Sequence, residues 1–109
     1  MRAVGLMSAL ALNAAALPAL CEEVGDPVRG KAYAEKVCAE CHAVLAHQDA
    51  SPLFGAPPFR AVANTPGMTG TALAVWLQSP HPSMPNLLIE INDRDDVIAY
   101  ILTLKEGKQ

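Results

Sequence analysis

Apolar residues are spread along this chain in two different ways. Residues 3–20 form one nearly unbroken run dominated by alanine and leucine, whereas beyond Val24 apolar positions recur at helical spacing among polar ones. Three segments carry that spacing. The first is announced by Asp26-Pro27, a capping carboxylate followed by a residue tolerated at the first helical position, and covers residues 28–37 with Tyr33 and Val37 on one face. Gly30 inside it costs about 1 kcal/mol relative to alanine, so another backbone is expected to approach there. The second opens at Thr69-Gly70-Thr71 and covers residues 72–78, with Leu73, Trp76 and Leu77 in phase, and Ser79-Pro80 closes it. The third covers residues 92–104. Asn92 is its expected cap, Asp93, Asp95 and Asp96 crowd its positive end, and Val97, Ile98, Ile101 and Leu104 form its stripe. Tyr100 is placed to meet Tyr33 or Gly30 if the first and last helices cross. Between the first two helices, residues 43–65 read as irregular, punctuated by Pro52, Gly55, Pro57 and Pro58. A loop this long in a compact domain needs a task that accounts for it.

The apolar run 3–20 follows the positive Met1-Arg2 and ends among small residues, the profile of a secretory leader. It is also about long enough to span a bilayer, but Asn13 and Pro18 interrupt it, so removal is the reading taken. The expected division is a leader over residues 1–21 and a single small domain over 22–109, with cuts after Ala16 or Ala19 as alternatives and no stable membrane span in the mature form. Lipidation of Cys21 is disfavoured because Leu20 is not the small residue expected before a lipoprotein cysteine.

Against that background, Cys38-Ala39-Glu40-Cys41-His42 is the stretch that carries chemistry. Two thiols two residues apart with an imidazole directly after the second form the pattern of c-type haem attachment. Each thiol adds across one vinyl group on one edge of a porphyrin, one helical turn sets their separation, and His42 is then aimed at the iron as proximal ligand. Competing readings fare worse. A structural zinc site needs four ligands, and there is no second cysteine pair; Cys21, His47 and His81 are not spaced as a finger. A thioredoxin-like site would sit near a β-α-β pattern, and no hydrophobic strand run precedes Cys38. A disulfide between cysteines this close removes little chain entropy.

Several residues then fall into place around such a group. An unopposed carbonyl in the proline-rich stretch, from Pro57 or Pro58, can accept the second imidazole N–H of His42 and raise the ring's basicity. Phe59 is placed to pack beside the ring system and Arg60 to meet a haem propionate. Trp76, the only tryptophan, has an indole N–H that needs a partner if buried. The stiff run Pro80-His81-Pro82-Ser83-Met84-Pro85 presents one thioether, which suits a soft distal ligand held in place by the chain. Met84 is preferred over Met68 for that role, with His81 a lesser rival.

The formal charge of −3 becomes more negative once Arg2 leaves with the leader, with 7 of the 8 Lys and Arg facing 11 Asp and Glu. No basic patch is present, which disfavours nucleic acid as a partner. A partner with a positive face would be steered toward such a surface. With 51% hydrophobic residues but only 5% aromatic ones, a domain this small is expected to need a cofactor as a staple.

Gly30-Lys31-Ala32-Tyr33, Cys38-Ala39-Glu40-Cys41-His42, Ala56-Pro57-Pro58-Phe59-Arg60, Trp76, Ser83-Met84-Pro85 and Val97-Ile98-Ala99-Tyr100-Ile101 occur in this order. Together they make the chain resemble a bacterial monohaem class I cytochrome c over nearly all of its mature length. The resemblance implies an all-α fold, three main helices and long loops wrapped around one covalently bound haem c, with the terminal helices crossed through a glycine and an aromatic. It implies thioether links at Cys38 and Cys41, axial ligands His42 and Met84, and Pro57 as the carbonyl partner of His42. It implies a periplasmic one-electron carrier rather than an enzyme, meeting redox partner proteins as a monomer or as the haem subunit of a larger oxidoreductase. An open-site haem sensor or enzyme is the alternative if Met84 does not ligate. The chain lacks the lysine-rich face of mitochondrial cytochrome c.

Overall fold

A computed structural model describes residues 1, 24–79, 84 and 88–107. All of the expected leader but Met1, Cys21 included, and the loop residue His81 lie outside the described residues. Every regular element among the described residues is a helix: α1 (Pro27–Tyr33), running directly into a π-helical turn (Ala34–Cys38), then α2 (Phe59–Ala63), α3 (Gly70–Gln78) and α4 (Ile91–Thr103). The all-α expectation holds.

Helix α1 begins where Asp26 and Pro27 place it. The Asp26 carboxylate accepts from the backbone N–H of Val28 at 2.8 Å and of Arg29 at 3.4 Å, satisfying donors that an uncapped end would leave exposed. The helix does not continue to Val37 as an α-helix. The Ala39 N–H reaches back five residues to the Ala34 carbonyl at 3.0 Å, so the last turn is wider than α-helical, a local geometry often found at functional sites. Neither Ala34 nor Lys36 signals this by residue type.

Helix α4 packs against α1, α2 and α3, most extensively against α1. At the α1–α4 crossing a Cβ on Gly30 would lie 1.9 Å from the Asp96 carbonyl oxygen and 2.9 Å from the Val97 nitrogen. The close backbone approach expected at Gly30 is therefore present, but it is made with Asp96 and Val97. Tyr100 instead turns its hydroxyl to the Val44 carbonyl, donating at 2.6 Å, and so ties α4 to the chain just beyond His42.

Helix α4 starts earlier than expected. The Glu90 carbonyl accepts from the Arg94 N–H at 2.9 Å, which places Asn92 inside the first turn rather than at the cap, and no side chain caps this end. Asp93 still lies in the first turn, where negative charge is favourable. Val97, Ile98 and Ile101 are buried as the stripe requires, while Leu104 is half-buried. Residues 59–63, expected to be irregular, form a short helix instead, with Phe59 and Ala63 buried against the core. The spacing Phe59, Val62, Ala63 is the helical signal that the surrounding prolines obscured. Helix α3 opens as expected, the Thr69 hydroxyl accepting from the Ala72 N–H at 3.1 Å.

Asp96 is buried to 3% exposure, yet charged. Its carboxylate accepts from Arg29 Nε at 2.8 Å, Arg29 Nη2 at 3.0 Å and the Asp26 N–H at 2.6 Å. The Arg29 side chain, then the Asp26 amide, hold its pKa below the ordinary 3.8. A depressed carboxylate contributes stability that is fully present above its unfolded value and is lost as pH falls through its folded value. Asp96→Asn is therefore expected to melt several degrees lower than wild type at pH 7, with the two melting curves converging below about pH 4. Melting temperature followed by circular dichroism from pH 2 to 7 checks this; a constant gap across that range would show that the ion pair is not its source.

Candidate haem-binding site

The described residues form a cavity of about 280 Å³, lined by Cys38, His42, Phe59, Val62, Thr65, Met68, Leu73, Trp76, Leu77, Met84, Ile89, Val97 and Ile101. Phe59, Leu73, Val97 and Ile101 are also members of the buried core. The cavity is thus a cleft that opens to solvent past Trp76 and is backed by buried residues of α2, α3 and α4.

Cys38 arrives there on the π turn and is buried, while Cys41 is half-buried. The Cys38 carbonyl accepts from both the Cys41 N–H at 3.2 Å and the His42 N–H at 2.9 Å, so the segment coils back on itself and turns His42 to the cavity. Both cysteines are free thiols. Burial, and then the neighbouring Cys41, push the Cys38 thiol up to about 11, which keeps it protonated and lowers its reactivity in the bare chain. Among the described residues no group of three or more His, Cys, Asp or Glu side chains is arranged to hold a bare metal ion.

His42 is oriented from two sides. Its Nδ1 lies 2.7 Å from the Pro57 carbonyl oxygen. A carbonyl only accepts, so Nδ1 is the donor, and in the neutral ring the lone pair is then on Nε2. The Phe59 ring packs on the imidazole with centroids 5.4 Å apart and planes tilted by 50°. Of the residues singled out in the sequence, Cys38, His42, Phe59, Trp76 and Met84 meet at the cavity, and Pro57 meets it through His42. Cys41 stands one turn from Cys38 without lining the cavity. Trp76 is 55% exposed and lies at the rim. Met68 reaches the cavity as well as Met84.

Arg60 is placed elsewhere. It donates to Asp49 at 3.0 Å and to Glu106 at 2.9 Å on a separate polar face, so the propionate role expected for it is not supported. Sequence reasoning missed Val62, Thr65 and Ile89 as lining residues. Val62 was legible from its phase with Phe59; Thr65 and Ile89, outside regular helices, carried no periodic signal.

No protein-family model matches the chain, and no solved structure matches it. It is, however, 33% identical over 101 residues to cytochrome c-552 of Bradyrhizobium diazoefficiens, an alignment covering 93% of each chain. The chain belongs to the cytochrome c family.

As a cytochrome c it is a haem-based electron carrier, and the residues present suit that group. The cavity wall is overwhelmingly apolar, as a flat macrocycle requires, and the nitrogen and sulfur donors on it, His42, Cys38 and the two methionines, are those that bind iron or a porphyrin edge. The protonated Nδ1 of His42 on a carbonyl is the arrangement that fixes a metal-binding imidazole and raises its basicity. No helix among the described residues of this cytochrome c is long and apolar enough to cross a membrane.

Proposed function

We propose that this cytochrome c holds one haem through thioether bonds to Cys38 and Cys41, with His42 and Met84 as its axial ligands, and passes single electrons between partner proteins in the bacterial periplasm. The observation that carries this reading is the pair formed by His42 and Met84 on one apolar cavity, with the far side of the imidazole already committed to Pro57. Bound haem would supply a one-electron iron couple.

The chain's own part is to hold, orient and exclude. Cys38 and Cys41, one turn apart, would anchor one edge of the group. His42 would donate Nε2 while Pro57 holds Nδ1. Met84 would fill the second axial position, so that neither water nor a substrate reaches the metal and little rearranges when the charge changes. Phe59, Leu73, Val97 and Ile101 keep the surroundings dry. In this reading residues 1–21 direct export and are removed, leaving 22–109 as the carrier domain. The acidic balance of the chain favours partners with a complementary positive face, met in brief and weak encounters.

Met84→Ala is expected to abolish the weak long-wavelength absorption of the ferric protein and to lower the reduction potential by on the order of 0.1 V or more, within the ~0.8 V range that axial ligands span. Met68→Leu is expected to leave both unchanged. Optical spectra and a redox titration of the two variants check this. Loss of the band in Met68→Leu with its retention in Met84→Ala would assign the distal position to the other methionine.

A further inference from the structure

Within Cys41 to Val44, three carbonyls, one N–H and the imidazole are tied to distant parts of the chain. The Cys41 carbonyl accepts from the Leu53 N–H at 3.2 Å, and the Ala43 carbonyl accepts from the Phe59 N–H at 2.9 Å. The Val44 carbonyl accepts from the Tyr100 hydroxyl. One tie differs in kind. The Ala43 N–H, in a residue only 1% exposed, donates to the side chain of Ser51, N to Oγ 2.9 Å.

We propose that Ser51 is a positioning residue for the proximal ligand: its hydroxyl holds the loop carrying Pro57 against the residue following His42 and so sets the His42–Pro57 hydrogen bond. This rests on His42 being the iron ligand. Ala43 is bonded on both sides, through its N–H to residue 51 and through its carbonyl to residue 59. The chain between those two points therefore leaves and returns to one residue, and Pro57 lies within that closed segment. Its carbonyl is presented to the imidazole of the residue directly before the closure point. A backbone acceptor on residue 51 would not need this identity; a side-chain hydroxyl does. Pro52 restricts Ser51 to extended backbone, which limits the directions its Oγ can take.

Removing the hydroxyl leaves a buried N–H unpaired, a state that native chains avoid. The segment then keeps only the Leu53 tie to Cys41 and the Phe59 tie to Ala43, and with one anchor fewer Pro57 draws away from Nδ1. A weaker bond at Nδ1 makes the imidazole a poorer donor and favours the ferrous state.

The test uses haem-loaded protein with Ser51→Ala, Ser51→Thr and, as a control, Thr69→Ala, which loses the α3 cap at a cost of about 1 kcal/mol without touching this loop. At the wild-type midpoint potential, Ser51→Ala is expected to shift the ferrous-to-ferric ratio upward by roughly threefold, a small part of the ~10–100-fold effect of losing a direct imidazole partner. The iron–imidazole stretch in resonance Raman spectra of ligand-free ferrous Met84→Ala background protein should fall in frequency with it, and the Ala43 amide should exchange at least about tenfold faster. Ser51→Thr is expected to restore all three, and Thr69→Ala to leave ratio and stretch unchanged. An unchanged ratio and stretch in Ser51→Ala, with His ligation intact in wild type, overturns this inference alone. Absence of His ligation in wild-type protein would instead overturn the ligand assignment on which it rests.

Discussion

Gly30→Ala is expected to lower the melting temperature of the haem-loaded protein by roughly 10 °C, despite replacing the poorest helix former but proline with the best. On propensity alone the change would stabilise α1 by about 1 kcal/mol. The added methyl, however, would sit 1.9 Å from the Asp96 carbonyl oxygen and 2.4 Å from its carbon, both backbone atoms that cannot rotate away. The helices must separate, and separation pulls Asp96 from Arg29 and from the Asp26 amide, which lie at the same crossing. Overpacking of this kind costs about 3 kcal/mol, and 1 kcal/mol corresponds to about 4–8 °C in a domain this small. Thermal unfolding by circular dichroism measures it. A melting temperature equal to or above wild type would mean that α1 and α4 do not cross as described.

The second large effect is loss of the haem. Protein produced without haem is expected to lose its cooperative unfolding transition, to lose near-ultraviolet circular dichroism and to bind hydrophobic dyes, the marks of a collapsed chain without fixed packing. The reason lies in what fills the core. Of the buried apolar side chains among the described residues, Ala34, Cys38, Ala43, Ala63 and Ala99 are alanine or cysteine, and the largest that are fully buried are Val44 and Val97. A cleft of about 280 Å³, lined by Cys38 and Val97 among others, opens beside these small side chains; at ~24 cal/mol per Å³ an enclosed space of that size would correspond to at most about 7 kcal/mol, comparable with the whole stability of many small domains. A haem-free protein that melts cooperatively within a few degrees of the loaded form would contradict this account of the core.

How much of this was legible in the linear chain depended on whether the information was local. Asp26-Pro27 and Thr69-Gly70 act on amides two or three residues away, and both helix starts follow from them. The attachment motif is likewise contained in five residues, and the stripe of α4 repeats at a period that survives any tertiary context. Other features depend on partners remote in sequence. Nothing local distinguishes Asp96 from Asp93 and Asp95, yet Asp96 is buried on Arg29, 67 residues away. Arg60 read as a cation placed to meet a haem propionate, but the fold directs it to Asp49 and Glu106 instead. Ser51 sits in a turn-forming run where serine is expected for its own sake, and only the fold shows that its hydroxyl meets Ala43. The π turn before Cys38 was hidden for a different reason: its residues are ordinary helix formers, and the wider hydrogen bond is chosen by packing.

The measurement that bears most directly on the proposal is the intact mass of exported, purified protein under denaturing conditions, taken with alkylation of its thiols. The expected result is a mass equal to the chain from its observed N-terminus plus one haem, with Cys38 and Cys41 both resistant to alkylation. A mass equal to the polypeptide alone, with both thiols alkylated, would contradict it.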